Sequence, residues 1–299
     1  MTKPKIGLAL GSGGARGWSL IGVIRALEER GIVPDYVSGC SMGALVGAAY
    51  VGGRLDELED WALSITHRKM ATLMDVNLLS GGLIEAKQVV KFLNKLGMPE
   101  LIEDQATPFV AIASDMRSGR EIWLKDGPIV DAVRASIALP GIISPVRYKD
   151  RWLLDGGLTN PLPVSAVRAL GADIVIAVNP EAKKYSVVWE PPKETVNETW
   201  QSIKTALPLS VRAAFEAVGG KTAEIKGPNY FDVIATSIDV LVDQVRRSRL
   251  IGDPPHVMLD VNLRNFTILE FYNAKEAIAE GRACVERASD TLDAAIANA

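Results

Sequence analysis

From Asp35 the chain runs Tyr36-Val37-Ser38-Gly39-Cys40-Ser41-Met42-Gly43-Ala44-Leu45-Val46-Gly47-Ala48-Ala49: a short strand pattern, a G-x-S-x-G, then a helix of small residues. That order describes a nucleophile elbow, in which a serine is held on a sharp strand-to-helix turn. A side chain at Gly39 or Gly43 would strike the neighbouring strand or helix, and glycine has none. The helix behind the turn aims its N-terminal N–H groups and positive dipole end at Ser41, which favours negative charge on a carbonyl under attack. The expectation is an α/β protein with Ser41 as a nucleophile.

Such a serine needs an oxyanion hole and a base. The loop Gly11-Ser12-Gly13-Gly14-Ala15-Arg16-Gly17 follows an apolar strand run and precedes a helix, so its backbone N–H groups can converge on an anion. It lacks the Gly-Lys-Ser/Thr ending of a phosphate loop, and Arg16 stands where a dinucleotide fingerprint has its third glycine, so an oxyanion hole fits better. Two histidines are available as bases. His67 lies at a polar helix end, and His256 follows Pro254-Pro255 where a strand begins. The order Ser41, Asp155, His256 suits a triad, while an edge-strand position explains His256 equally well. Asp155, in Trp152-Leu153-Leu154-Asp155-Gly156-Gly157, is carried from an apolar strand into a glycine turn; with an ordinary pKa of ~3.9 it is a weak base at neutral pH unless burial raises that value. Asp-Gly-Gly also makes ordinary hairpin turns. The Ser41/Asp155 dyad is the favoured reading, with the triad open beside it.

At 299 residues, 48% apolar and 23% charged, the chain has enough apolar surface for a large folded unit. Its net charge of −3 supplies no basic field for nucleic acid. The tract Arg246-Arg247-Ser248-Arg249 reads as a solvated helix end, with anionic headgroups as the alternative partner. Cys40 and Cys284 form neither a disulfide framework nor a metal-ligand spacing, which makes the cytoplasm the expected compartment. The N-terminus runs into a strand without a signal-peptide stretch, and no run of about 18 apolar residues occurs, so no membrane span is expected.

Strand patterns at 6–10, 109–113, 121–124, 146–154, 174–178 and 257–261 alternate with helical ones, as in a mostly parallel sheet. The helices are expected at 18–30, 42–51, 54–66, 84–96, 129–138, 164–170, 198–218 and 230–250, with a long one from Asn273. Residues 183–197, with Pro191-Pro192, read as a surface loop. The stripe at Trp200, Leu207, Val211 and Phe215 reads as core packing or, alternatively, a lipid-facing lid.

Together with Ala135-Ser136-Ile137-Ala138-Leu139-Pro140-Gly141 and Asp155-Gly156-Gly157-Leu158-Thr159-Asn160-Pro161-Leu162-Pro163, these motifs resemble the patatin-like phospholipase family. The nearest likeness is to its bacterial RssA-type branch, related to neuropathy target esterase. The resemblance covers residues 5–180, and more loosely the remainder through Gly252-Asp253-Pro254-Pro255. It implies a three-layer α/β/α fold with a mostly parallel central sheet, a catalytic core over 1–180, and a helical extension over 181–299 completing the same domain. It also implies lipid acyl hydrolysis of phospholipase or lysophospholipase type by a Ser41/Asp155 dyad. The oxyanion donors map onto the backbone at Ser12, Gly13 and Gly14, with Arg16 closing the motif. Ser12 departs from the family in standing where glycine is frequent. No metal or organic cofactor is expected. The expected partner is a lipid or acyl-ester substrate met in the cytoplasm or at the inner face of a membrane. An acyltransferase using the same acyl-enzyme, or a regulatory protein keeping the fold, are the alternatives.

Overall fold

In the computed structural model, which describes residues 3–66, 86–181, 230–263, 266, 268 and 270–298, the apolar runs pair into one eight-stranded sheet. The strands are β1 (Ile6–Leu10), β2 (Tyr36–Cys40), β3 (Phe109–Asp115), β4 (Glu121–Leu124), β5 (Val146–Tyr148), β6 (Arg151–Asp155), β7 (Ile174–Asn179) and β8 (Val257–Asp260). Strands β3, β2, β1, β7 and β8 lie side by side in parallel, and β4, β5 and β6 add antiparallel pairs at the β3 end.

The helices are α1 (Ser19–Glu29), α2 (Met42–Val51), α3 (Leu55–Leu63), α4 (Ala86–Lys95), α5 (Ile129–Ser136), α6 (Val164–Ala169), α7 (Tyr230–Gly252), α8 (Ala274–Arg287) and α9 (Ser289–Ala297). β1, β3 and β7 are buried along their whole length, as strands covered on both faces must be. Alternate residues divide between two layers. Leu8, Leu10, Ile176 and Val178 pack with Leu20 of α1, Val46 of α2 and Ile278 of α8. Ala9, Val175 and Ala177 face the other way, against Val164 and Val167 of α6 and Leu250 of α7. The result is the expected three-layer α/β/α arrangement.

Two details depart from the sequence pattern. In place of one long terminal helix there are two, α8 and α9, separated at Ala288; the turn lets α9 place Leu292 in the core beside Val285. α1 and α8 also cross with their backbones in contact: a Cβ on Gly22 would lie 1.9 Å from the Ile278 carbonyl oxygen, and one on Gly281 2.0 Å from that of Ser19. Only glycine fits such a crossing.

The basic tract departs from its solvated reading. Arg246 is buried, with Nη1 donating to Asn179 Oδ1 at 2.7 Å and Nη2 paired with Asp243, while Arg249 pairs with Glu121 of β4. These arginines are engaged within the chain. The loop at 183–197, the stripe from Trp200 to Phe215 and His67 lie outside the described residues. Among the described residues no helix is long and apolar enough to cross a membrane.

The feature that positions the site is a shared strand edge. β2 pairs with β3 up to Cys40 opposite Ile112, and β6, running the other way, pairs with β3 up to Asp155 opposite Ala113. β4 overlaps both of these registers on β3, from Ala111 to Ser114, and so occupies the opposite edge. β2 and β6 therefore share one edge of β3 and run toward each other, and their ends meet between Ile112 and Ala113.

Candidate active site

Ser41 stands where β2 ends and α2 begins, with φ 54° and ψ −121°. That left-handed conformation costs a non-glycine residue about 1–3 kcal/mol and persists only where the surroundings dictate it. They do so at both flanking glycines. A Cβ on Gly39 would come within 2.3 Å of the Gly43 carbonyl oxygen, and one on Gly43 within 2.1 Å of that of Leu10. The Ser41 carbonyl accepts the N–H groups of Ala44 and Leu45, so the serine caps α2 directly. Its side chain is half-buried and projects at the positive end of the helix.

Asp155 arrives at the same point from the end of β6 and is 2% exposed. Ser41 Oγ donates to Asp155 Oδ2 at 2.7 Å, and the Gly157 N–H donates to Oδ1 at 2.7 Å. The backbone on either side is fixed: the Asp155 N–H donates to Ala138 O at 2.9 Å, and Ser114 Oγ donates to Asp155 O at 2.8 Å. Burial pushes the carboxyl up to about 7, helped by the charge of Glu181 and opposed by the hydrogen bonds from Ser41 and Gly157. A carboxylate so placed is a base matched to neutral pH. Gly156 has a local cause of its own, since a Cβ there would lie 2.2 Å from the Ile112 carbonyl oxygen. It is the approach of β3 that this glycine permits.

The glycine loop lies opposite the pair. A Cβ built on Gly157 would sit 3.1 Å from Asp155 Oδ1 and 3.8 Å from Ser12 Oγ, so the loop and the carboxylate flank one small space. Of the three expected donors, Ser12 is already engaged through its backbone, its N–H donating to Pro161 O at 2.8 Å. The N–H groups of Gly13 and Gly14 have no acceptor among the described residues. Arg16 anchors the loop from behind: it is buried, and its Nε donates to Phe266 O at 2.9 Å. His256 is spent on the sheet, with Nδ1 accepting the Val175 N–H and the His256 backbone N–H donating to Val175 O, both at 2.9 Å. It bonds to neither Ser41 nor Asp155. Among the described residues no cluster of His, Cys, Asp and Glu is arranged to hold a metal ion.

Ser136 has a role here that its sequence motif does not announce. Ser136, at the end of α5 and fully buried, fills the gap where β2 and β6 meet. Its Oγ donates to Ile112 O at 2.5 Å and accepts the Ser41 N–H at 2.9 Å. A lone serine at the end of an amphipathic helix carries no spacing signal for such a role; only the register reveals it.

Comparison with known proteins identifies the family. Residues 8–168 match the model of the patatin-like phospholipases. An NTE family protein of Mycobacterium tuberculosis, itself uncharacterized, is 32% identical over 335 aligned positions, covering 98% of this chain and 93% of its own length. Human patatin-like phospholipase domain-containing protein 6 is 34% identical over 186 positions, which span 60% of this chain and 14% of that protein. The crystal structure of VipD from Legionella pneumophila aligns with a TM-score of 0.47 at 14% identity, over 98% of this chain and 67% of that one. The chain belongs to the patatin-like phospholipase family.

The buried carboxyl makes a prediction about stability. Its folded pKa, about 7, lies above the unfolded value of ~3.9, so its contribution is fully present below pH ~4 and is lost as pH rises through about 7. An amide carries no such dependence. In thermal or urea unfolding, Asp155→Asn is expected to gain on the wild type between pH ~4 and ~7, by about 4 kcal/mol in total, after which the difference levels off. A stability difference that does not change with pH contradicts the burial argument.

Proposed function

We propose that the protein hydrolyses carboxylic esters of lipids, of phospholipid or lysophospholipid type, with Ser41 and Asp155 as its catalytic dyad. The observation that carries the reading is the 2.7 Å hydrogen bond from Ser41 Oγ to the buried Asp155 carboxylate. As Oγ attacks the ester carbonyl, its proton passes to Asp155 Oδ2, and the N–H groups of Gly13 and Gly14 receive the developing oxyanion near the N-terminus of α2. Collapse of the tetrahedral intermediate breaks the ester C–O bond, and the leaving alkoxide takes the proton from Asp155. Water then attacks the acyl-enzyme, giving a proton to Asp155. The second collapse releases the fatty acid and returns that proton to Ser41. Arg16 and Ser136 act as positioning residues, one behind the loop and one beneath the elbow. The cytoplasm, or the inner face of a membrane, is where such a substrate is met.

Steady-state kinetics on a soluble short-chain ester test the reading, with circular dichroism to confirm folding. Ser41→Ala is expected to lose at least ~10³ in turnover, and Asp155→Asn most of its activity, because an amide accepts no proton. His67→Ala and His256→Ala should each keep at least roughly a tenth of wild-type turnover. Collapse of activity in His256→Ala would make the site a triad and overturn the dyad.

Ser136→Ala separates positioning from contact with substrate. Losing Oγ leaves the Ser41 N–H and the Ile112 carbonyl without their buried partner, a cost of about 1–3 kcal/mol in stability. Because Ser136 touches no solvent, its loss should lower kcat by roughly tenfold with KM little changed. A rise in KM at constant kcat is the contrary result.

A further inference from the structure

Two hairpins extend past the edge of the sheet at which Ser41 stands. The parallel strands all deliver their C-terminal ends to that edge, and β3 continues beyond its last pairing with β2 while β6 returns along it. The β3–β4 turn at 116–119 and the β5–β6 turn at 149–150 are the outermost parts of these ribbons.

The register determines which side chains share a face there. The Met116 N–H donates to Trp152 O at 2.8 Å, one step beyond the Asp115–Leu153 pair, and Trp152 is directly opposite Arg147. Residues opposite one another in antiparallel strands project to the same face, so Met116, Trp152 and Arg147 form one row. The neighbouring row, Asp115, Leu153 and Val146, is buried. The first row is open: Met116 is 59% exposed and Trp152 54%. On the other face of the hairpins, with Glu121, Trp123, Asp126, Tyr148, Lys149 and Arg151 on its walls, a cleft of about 350 Å³ is left unfilled.

Charge around this row is one-sided. Arg117, Arg120 and Arg147 are exposed and have no acidic partner among the described residues. Lys149 is held by Asp126 and Arg151 by Asp115, which leaves Asp150 as the unpaired acid at the tips. This basic, apolar surface belongs to a chain whose net charge is −3.

We propose that the tips of the β3–β4 and β5–β6 hairpins dock the protein on an anionic lipid bilayer. A negatively charged protein approaches such a surface only through a local basic patch, and each Arg near the headgroups contributes about 1 kcal/mol. Tryptophan and methionine between the arginines enter the headgroup region, where an amphipathic indole is at home and the arginine heads remain wet. Docking in this orientation turns the Ser41 edge of the sheet toward the membrane. The choice of a bilayer as occupant rests on the lipid hydrolase reading, because that is where its substrate resides.

Flotation of the full chain with vesicles of phosphatidylcholine, alone or mixed with phosphatidylglycerol, tests the inference. The protein should float with the mixed vesicles, bind the neutral ones far more weakly, and be released by high salt. Arg117→Gln with Arg147→Gln should weaken binding to the mixed vesicles by ~30-fold, and Met116→Ser with Trp152→Ser by at least about tenfold. All variants should hydrolyse a soluble short-chain ester at the wild-type rate, which also certifies their fold. Equal flotation on both vesicles, or unchanged flotation of both double variants, overturns the inference. Oligomerisation or protein capture that depends on these residues while flotation does not would overturn it in favour of a protein interface. Flotation requires no turnover, so repeating it with Ser41→Ala keeps failure of the docking surface distinct from failure of the hydrolase reading.

Discussion

Everything at this site depends on one strand edge being used twice. β3 is long enough for β2 to pair along its first half and for β6 to return along its second, so the two strand ends collide at adjacent positions, Ile112 and Ala113. The last residue of β6 is Asp155, and the first beyond β2 is Ser41. Their 2.7 Å hydrogen bond follows from sheet register. Where strands terminate against each other their ladder is interrupted, and the freed groups need other partners. Ser136 supplies one by bridging Ile112 O and the Ser41 N–H.

The same arrangement keeps the carboxylate dry. Asp155 is enclosed by β3, the turn after β6 and the glycine loop, and burial outweighs the two hydrogen bonds that favour its charged form. A carboxylate with an ordinary pKa would be a poor acceptor for a serine proton at neutral pH; one held near 7 is a useful one. The strain at Ser41 and the penalty on Asp155 are costs to stability that the three-layer core around them offsets. That core includes the C-terminal helices, since α8 lies backbone to backbone on α1, and the carbonyls of Ile268 and Phe266 hold the glycine loop through Ala15 and Arg16.

Much of this was legible in the chain. The elbow glycines, Ser41, the glycine loop and Asp155 each occupy a turn whose backbone demands particular residue types, and such demands survive in sequence. Strand and helix periods located most elements to within a few residues, and α2 and β4 to their ends. Long-range register was not legible, because nothing local in β6 says that it pairs with β3 in antiparallel fashion on the edge β2 has vacated. For that reason the sequence carries no sign of the role of Ser136, offers Ser12 as a backbone donor although Pro161 takes its N–H, and presents Arg246 as solvated although it is buried. Gly22 and Gly281 look like ordinary helix glycines until the helices they serve are seen to cross.

The central claim is that Ser41 is a nucleophile made reactive by Asp155. The rate of covalent labelling by a fluorophosphonate, followed by mass spectrometry of the intact chain and its peptides, tests it most directly. The account predicts a single adduct on Ser41 in the wild type, none in Ser41→Ala, and labelling slowed by at least ~10² in Asp155→Asn. Labelling of Ser41 at an undiminished rate in a folded Asp155→Asn protein, or an adduct on another residue, would contradict it.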